Sequence, residues 1–340
     1  MSLMVDIEKR LGDFHLRVKW EAGDDVLSLL GPSGCGKSVT LQCIAGIQRP
    51  DRGQIVLDGV TLFDSTRKIN LPPQKRRVGY LFQQYALFPH MTVWQNMCTG
   101  LRQKDGGEER IREMLRAMRL EGMERRRPHQ LSGGQQQRLA LARILVNEPE
   151  VLLLDEPFSA LDSQLRFQLE EELRQVIRRF GKTVVLVSHN REEVYRLSRQ
   201  VVIMAGGAVD AAGTREEIFA HPQTRNGALM TGCRNISAAG TMQSGRIPAL
   251  DWGAALQVPW ETSAPFVGIR PQDIRPDCGE NTVRCRVAEV IENPFTVLVR
   301  LTTPGGTQDL WWELDKNRWA QNCAEEIDIS LPPEKLLALR

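Results

Sequence analysis

The chain has 340 residues, more than one average domain needs and enough for two. Its 44 basic and 42 acidic residues leave a net charge of +2, so composition gives no reason to expect a nucleic-acid partner. The seven cysteines show neither a CxxC pair nor metal-ligand spacing, and we expect free thiols in a reducing compartment. The apolar runs are strand-sized, so the chain is not expected to cross a bilayer by itself.

Residues 1–235 alternate strand-like and helix-like stretches. This alternation predicts an α/β fold with a largely parallel sheet. Residues 93–146 differ, being charged and helical, and we expect them to form a helical insertion into the α/β body. The predicted strands span residues 26–30, 78–82, 151–154, 183–188 and 201–205.

From residue 236 to residue 340 the pattern changes to short alternating segments. Turns rich in proline, glycine and asparagine separate these segments. The pattern predicts a second, small all-β domain, a barrel or a sandwich. Its predicted strands include residues 282–291, 296–301, 309–314 and 326–331.

A glycine-rich loop directly follows the first of the apolar strands. Residues 31–38, Gly-Pro-Ser-Gly-Cys-Gly-Lys-Ser, match the phosphate-loop pattern G-x-x-x-x-G-K-[ST], and a helix-like run follows. The glycines let backbone N–H groups turn toward phosphate oxygens, the lysine reaches the β- and γ-phosphates, and the serine hydroxyl reaches Mg²⁺. The predicted nucleotide contacts are Gly31, Pro32, Ser33, Gly34, Cys35, Gly36, Lys37, Ser38 and Val39.

A second apolar strand ends in two carboxylates, Asp155 and Glu156. Desolvated carboxylates are costly, so a pair at this place suggests a purpose, although a solvated strand end is the alternative. Asp155 is predicted to hold Mg²⁺ through water, and Glu156 to polarise the attacking water. Gln83 and His189 also follow strands, and we predict that Gln83 contacts Mg²⁺ or water and that His189 lies near the γ-phosphate; a structural role is the alternative for each.

The string Leu-Ser-Gly-Gly-Gln at residues 131–135 makes the interpretation specific. It resembles the signature motif of ABC-type ATPases. The chain also has the family's order of motifs: phosphate loop, Gln83, signature, Asp155–Glu156, the string Ser-Ala-Leu-Asp at residues 159–162, then His189. The resemblance covers residues 1–230 and implies the fold of a P-loop nucleotide-binding domain with ATP and Mg²⁺ as its ligands.

The resemblance further implies that two copies pair head to tail, with each ATP between the phosphate loop of one copy and the signature of the other. Ser132, Gly133, Gly134 and Gln135 would then contact the nucleotide across the interface. Asp162 would communicate between the two sites. Family members also stack an aromatic residue on adenine; the candidate is Phe14, with Leu11 as an alternative for the place and core packing as an alternative role.

Residues 83–93 resemble the segment that receives a helix from the membrane-embedded permease subunits of importers. Tyr85, Leu87, Phe88 and Met91 would form its apolar groove, with ordinary packing as the alternative. The resemblance places the chain at the cytoplasmic face of the cell membrane, with a solute-binding protein as an indirect partner. A soluble ABC ATPase acting on nucleic acid or ribosomes is the alternative from another class, which the single nucleotide domain and the lack of sustained heptads disfavour.

Residues 266–274, Phe-Val-Gly-Ile-Arg-Pro-Gln-Asp-Ile, resemble a motif in the C-terminal β domain of one importer subgroup. In that subgroup this domain is an oligonucleotide/oligosaccharide-type (OB-like) barrel that helps two subunits to pair and can regulate them. Within the subgroup, the strings at residues 8–12, 31–39 and 231–236 most resemble those of importers of an oxyanion such as molybdate, tungstate or sulfate, with iron(III), a polyamine or a sugar as alternatives. A further alternative is that the β domain itself senses the oxyanion.

Overall fold

The computed structural model describes residues 2–101, 106–159, 163–261, 264–276, 279–322 and 324–340, with no side-chain positions for residues 163–165 and 322. The chain divides into two compact units, Met1–Arg215 and Glu216–Arg340. We treat each unit by itself.

The first unit is built on one mixed sheet of eleven strands in the order β6-β5-β4-β1-β2-β11-β10-β3-β9-β8-β7. The strands are β1 (Leu3–Leu11), β2 (Phe14–Ala22), β3 (Val26–Leu30), β4 (Arg52–Leu57), β5 (Val60–Asp64), β6 (Ile69–Asn70), β7 (Val78–Leu81), β8 (Val151–Asp155), β9 (Val184–Ser188), β10 (Gln200–Ala205) and β11 (Ala208–Thr214).

Strands β10, β3, β9, β8 and β7 are neighbours and run parallel to one another. They are nearly continuous apolar runs because helices cover both faces of the sheet. In β8, for example, Val151 and Leu153 pack into the core on one face, and Leu152 and Leu154 into the core on the other. The carboxyl ends of all five strands lie along one edge, where ligands of α/β proteins typically bind.

The other half of the sheet corrects the expectation of a largely parallel sheet. Strands β2, β1, β4, β5 and β6 pair antiparallel, and β11 pairs antiparallel with β10. In β1, Leu3, Val5 and Ile7 are buried, whereas the residues between them are only half-buried, so that one face packs on the core and the other meets solvent. In the sequence, this alternation is a weaker sign of a strand than the apolar runs of the parallel strands are.

In the part of this unit that the structure describes there are six helices: α1 (Lys37–Ala45), α2 (Val93–Gly100), α3 (Gly107–Ala117), α4 (Gly133–Leu145), α5 (Ser163–Phe180) and α6 (Arg191–Leu197). Helices α2, α3 and α4 fall within residues 93–146, the predicted helical insertion, and their apolar faces share a core with β8. Capping boxes start α2 at Thr92 and α4 at Ser132. No helix in the described residues is long and apolar enough to span a membrane.

The second unit is mostly β, as the sequence predicts. The structure describes a three-stranded sheet, a hairpin and a four-stranded sheet, with Trp252 and Trp312 buried in the core. Its strands are β12 (Asn235–Ala238), β13 (Arg246–Ala249), β14 (Ala254–Gln257), β15 (Phe266–Ile269), β16 (Thr282–Glu292), β17 (Thr296–Thr302), β18 (Leu310–Asp315), β19 (Glu326–Ser330) and β20 (Leu337–Leu339). Its helices are α7 (Arg215–Ala220), which begins at the boundary, α8 (Arg225–Met230) and α9 (Lys316–Asn322).

Candidate nucleotide-binding site

The glycine-rich loop connects the carboxyl end of β3 to the first turn of α1. Gly34 and Gly36 have φ values of +81° and +103°, which disfavour other residues. A Cβ atom on Gly36 would lie 2.5 Å from Leu16 Cδ1, and one on Gly31 would lie 2.2 Å from the carbonyl oxygen of Met204. Helix α1 has no side-chain cap, so its first N–H groups are available to an anion.

Lys37 is the buried cation of this loop, with 5% of its surface exposed. Its Nζ donates to the carbonyl oxygens of Gly31 and Pro32, at 2.7 and 2.9 Å, and lies 3.8 Å from Cys35 Sγ. The ammonium group is therefore held inside the curve of the loop, where its charge attracts phosphate oxygens.

Asp155 ends β8 next to the loop. Its Oδ1 accepts a hydrogen bond of 2.8 Å from Ser38 Oγ, and its Oδ2 accepts one of 2.8 Å from the Tyr80 hydroxyl. Burial, with the nearby Asp155 carboxylate, raises the pKa of Tyr80 above its usual range, so the phenol stays a donor. Sequence analysis did not single out Tyr80; the available signal was a lone hydroxyl within an apolar strand, which becomes meaningful only when β7 is known to pair with β8.

Glu156, His189 and Gln83 come together beyond the strand ends. His189 Nδ1 lies 3.3 Å from Glu156 Oε1, and Gln83 Nε2 lies 3.4 Å from Glu156 Oε2 and 3.2 Å from Ser159 Oγ. They meet because β7, β8 and β9 are neighbouring parallel strands. The backbone of Glu156 is left-handed, with φ +46°.

Phe14, the first residue of β2, lies against the loop. Its ring atom Cζ is 3.1 Å from the place of a Cβ on Gly36, and Cε2 is 3.3 Å from that of a Cβ on Gly207. The ring also packs on the core of the sheet. Phe14 is thus beside the predicted nucleotide contacts, whereas Leu11 is 39% exposed at the end of β1.

The signature residues form the amino-terminal end of α4. Ser132 Oγ accepts from the backbone N–H of Gln135, and the Gln135 side chain accepts from that of Ser132. Each side chain thus bonds to the backbone of the other residue, and not to the phosphate loop of their own chain. Gly134 is buried against Leu169 of α5, and Gly133 is half-buried. Asp162 lies outside the described residues.

The apolar segment after Gln83 differs from the expected groove. Tyr85 is buried, so it offers no open surface, and Leu87 is half-buried against the helical core. A groove does lie beside Phe88, which is 40% exposed, and its other walls come from β7, α2 and α4. Arg143 of α4 holds this segment: its Nη2 donates to the Tyr85 carbonyl at 3.2 Å, and its guanidinium lies 5.5 Å from the Phe88 ring centroid.

Comparison with known proteins gives the family. A family model described as ABC transporter matches residues 15–159. The spermidine/putrescine import ATP-binding protein PotA of Clostridioides difficile is 44% identical over 66% of this chain and 64% of its own length. The protein of the same name from Vibrio parahaemolyticus is 42% identical over 287 residues, 81% of this chain and 74% of its own.

The chain belongs to the ABC transporter ATP-binding proteins of importer type. A solved dimeric ATP-binding cassette, MJ0796 in a post-hydrolysis state with ADP and phosphate, is 29% identical with a TM-score of 0.52, covering 63% of this chain and 99% of that one. The first unit of this importer-type protein is therefore an ATP-binding cassette. The match spans 64% of the length of the C. difficile relative, somewhat under two thirds.

Proposed function

We propose that this chain hydrolyses ATP to power the import of a polyamine through membrane-embedded partners. One observation carries the proposal: its 42% identity to a spermidine/putrescine import ATP-binding protein extends over 287 residues, beyond the cassette alone. The site geometry supplies the ATPase part of the argument, and the relatives' names supply the transport part.

The loop binds and orients the triphosphate. Backbone N–H groups of residues 33–38 and the Lys37 ammonium surround the phosphates, and the positive end of α1 adds to their attraction. Phe14, beside Gly36, is placed to contact the base. Binding in this form fixes the γ-phosphate near the strand ends, where the reacting groups lie.

The residues at the strand ends fit Mg²⁺ as well. A hard cation prefers oxygen ligands, and the Ser38 hydroxyl and Asp155 carboxylate offer oxygens 2.8 Å apart. Tyr80 fixes the far oxygen of Asp155. The amide oxygen of Gln83, whose Nε2 lies 3.4 Å from Glu156 Oε2, would be a further ligand. When bound, Mg²⁺ neutralises charge on the phosphate oxygens during transfer.

Glu156 acts as the base that polarises the attacking water. Its carboxylate stands between the Gln83 amide and the His189 imidazole, so both can orient the water and the γ-phosphate at once. Such positioned groups, rather than covalent chemistry by the protein, carry phosphoryl transfer.

A second copy of the chain completes the site. Ser132, Gly133, Gly134 and Gln135 lie at the amino-terminal end of α4, which suits an anion, yet Ser132 and Gln135 make no bond to their own phosphate loop. In the proposed head-to-tail pair each signature meets the partner's ATP, and Asp162 would communicate between the two sites. The dimeric state of the cassette MJ0796 supports this arrangement.

The permease subunits dock at the cytoplasmic face of the membrane, in the groove beside Phe88. This groove lies next to Gln83, so a partner there is near the reacting groups. Its lining residues include Phe82, Ala86, Phe88, Gly100, Arg143 and Ile144.

An extracytoplasmic solute-binding protein is an indirect partner, and the second unit is proposed as a β domain, OB-like, that assists pairing and regulation. The nucleotide-binding domain is proposed to extend to about residue 235, so that α7 and α8, which belong to the second compact unit, would be its last helices.

The relatives favour the polyamine alternative over the oxyanion expectation. Both are named for spermidine and putrescine import, and no comparison supports molybdate, tungstate or sulfate. The short strings that resembled oxyanion importers lie in the cassette and near its end, and these residues do not have to touch the solute. Import in the relatives' names also favours a transporter over a soluble ATPase acting on nucleic acid or ribosomes.

Uptake of labelled solute tests the proposal. In cells whose sole copy is the wild-type chain, we expect energy-dependent uptake of labelled spermidine, competed by putrescine but not by excess molybdate or sulfate. Cells carrying Glu156→Gln should lose it. Chain-dependent uptake of molybdate or sulfate, with none of spermidine, would overturn the polyamine assignment while leaving the ATPase intact.

A further inference from the structure

A buried carboxylate lies directly behind the nucleotide site. Glu193, in the first turn of α6, has 5% of its surface exposed, and burial raises its pKa. An ionised group in such a place costs free energy unless it is paired. The proposed chemistry does not use Glu193 as a ligand or base, so its contacts have to explain why a carboxylate stands there.

The first contact is the turn that carries His189. Ser188 Oγ donates a hydrogen bond of 2.6 Å to Glu193 Oε2, and accepts one of 2.9 Å from the backbone N–H of Asn190. The Asn190 side chain in turn accepts from the backbone N–H groups of Glu192 and Glu193. Hydrogen bonds thus fix the residue before His189 and the residue after it.

His189 depends on this turn for its position. Its side chain is 58% exposed, and its contact in the site is the 3.3 Å approach of Nδ1 to Glu156 Oε1. An imidazole so exposed has little packing to hold it, so a rotation of the turn would move it away from Glu156. Errors of about 1 Å in such groups can cost a hundredfold in rate.

The second contact ties the turn to α5. Arg166 Nε lies 3.7 Å from Glu193 Oε1. A further pair joins the same helices, because Arg196 of α6 donates to both oxygens of Glu170 of α5, at 2.8 and 3.1 Å. The contacts of Glu193 and Arg196 therefore link the turn that carries His189 to a second helix of the cassette.

We propose that Glu193 is a positioning residue for ATP hydrolysis. Its carboxylate holds the turn at residues 188–190 so that His189 stays beside Glu156, and it links that turn to α5. The inference rests on the proposed hydrolysis at this site and adds a residue that the family motifs do not assign. Its role acts through Ser188 and His189, with no contact to nucleotide.

Steady-state ATPase kinetics of the full chain, in complex with its permease partners, test this role. Glu193→Ala should lower kcat about tenfold or more while the KM for ATP changes less than about twofold, because the phosphate loop is untouched. Glu193→Gln should recover most of the rate, since its amide oxygen still accepts from Ser188. Ser188→Ala should lower kcat in the same way, and the double variant Ser188→Ala/Glu193→Ala should lose no more than the worse single variant.

Glu192→Gln is the matched control, since Glu192 is exposed on the same helix turn, and its kcat should stay within about twofold of wild type. A wild-type kcat for folded Glu193→Ala, or a loss that Glu193→Gln does not recover, would overturn the role. If Glu193→Ala does not fold, Ser188→Ala decides alone, and an unchanged kcat there contradicts the proposal. If Glu156→Gln turned over normally, the proposed hydrolysis itself would fall; if Glu156→Gln is inactive and Glu193→Ala is not, only the positioning role falls.

Discussion

Glu156 occupies a left-handed backbone conformation, which costs a residue with a side chain about 1 kcal/mol or more. Two hydrogen bonds hold the Glu156 backbone in this conformation. The Glu156 N–H donates to the Val187 carbonyl at 3.0 Å, and Ser159 Oγ donates to the Glu156 carbonyl at 3.0 Å. The sharp turn sends Asp155 and Glu156 in different directions. One carboxylate faces Ser38, and the other faces Gln83 and His189.

At the residue scale, the parts that the sequence revealed are those with a local motif. Short sequence motifs contain these residues, and the role of each can be inferred from its neighbours along the chain; they are Lys37, Ser38, Asp155 and Glu156. Tyr80 has no such string, because its contact with Asp155 exists only through the pairing of two strands that are 70 residues apart in sequence. In the sequence, Tyr80 cannot be told from any other tyrosine within an apolar strand.

Lys37→Ala should weaken ATP binding. The substitution removes the buried ammonium group that faces the phosphates, and losing one member of such a charged pair costs about 3 kcal/mol, or roughly a hundredfold in Kd. Titration of the purified chain with a fluorescent ATP analogue measures it. The exposed Lys75→Ala serves as the control, and tight binding by Lys37→Ala would contradict the role of the loop.

At the element scale, the carboxyl end of helix α1 is held by the rest of the cassette. This carboxyl end contacts Arg76, a residue that is only 1% exposed. The Arg76 guanidinium donates to the carbonyls of Cys43 and Ile44 at 2.7 and 2.8 Å. The same side chain donates to the Leu71 carbonyl and to Asn70 Oδ1. Arg76 therefore satisfies the last carbonyls of the helix that carries the phosphate loop.

Arg76→Ala should destabilise the chain by about 3 kcal/mol, because it leaves a cavity and unpaired buried carbonyls. Chemical denaturation, followed by a probe of the first unit, measures the free energy of unfolding. Arg49→Ala, an exposed arginine after the same helix, should change it by less than about 0.5 kcal/mol. Equal effects of the two substitutions would show that the Arg76 contacts contribute nothing.

The sequence predicted the parallel half of the sheet better than the antiparallel half. Strands β3, β8 and β9 are fully buried runs of five residues, and their length and nearly continuous apolar sequence indicate buried strands. Strands β1 and β2 pair with each other over nine residues, but charged residues such as Asp6, Glu8 and Lys19 interrupt their apolar positions. Which strands pair is decided by tertiary packing, and this part of the fold could not be read from local pattern.

At the scale of the whole molecule, the chain carries the two different halves of a nucleotide site at separate places. The phosphate loop and Glu156 lie at the sheet edge. The signature lies at the start of α4, where the side chains of Ser132 and Gln135 bond to each other's backbone N–H groups. This separation agrees with a site completed by a second copy. ATP would then favour the closed pair, and hydrolysis would reopen it, as in other ligand-biased two-state switches.

Of all the properties considered, the identity of the solute is the one that the sequence motifs predict least well. Motifs of the cassette report on phosphate chemistry, which importers of unlike solutes share, so short strings near them could not separate an oxyanion from a polyamine. The similarity to a spermidine/putrescine import protein over 287 residues is the reason for proposing a polyamine instead.

Phosphate release by the assembled transporter carrying Glu156→Gln tests the central claim most directly. Glutamine has the size of glutamate but cannot accept a proton, and general-base catalysis contributes roughly a hundredfold or more. We predict turnover lower by about that factor with ATP still bound. Glu150→Gln, at the other end of β8, should keep the wild-type rate. A wild-type rate for Glu156→Gln would contradict the account.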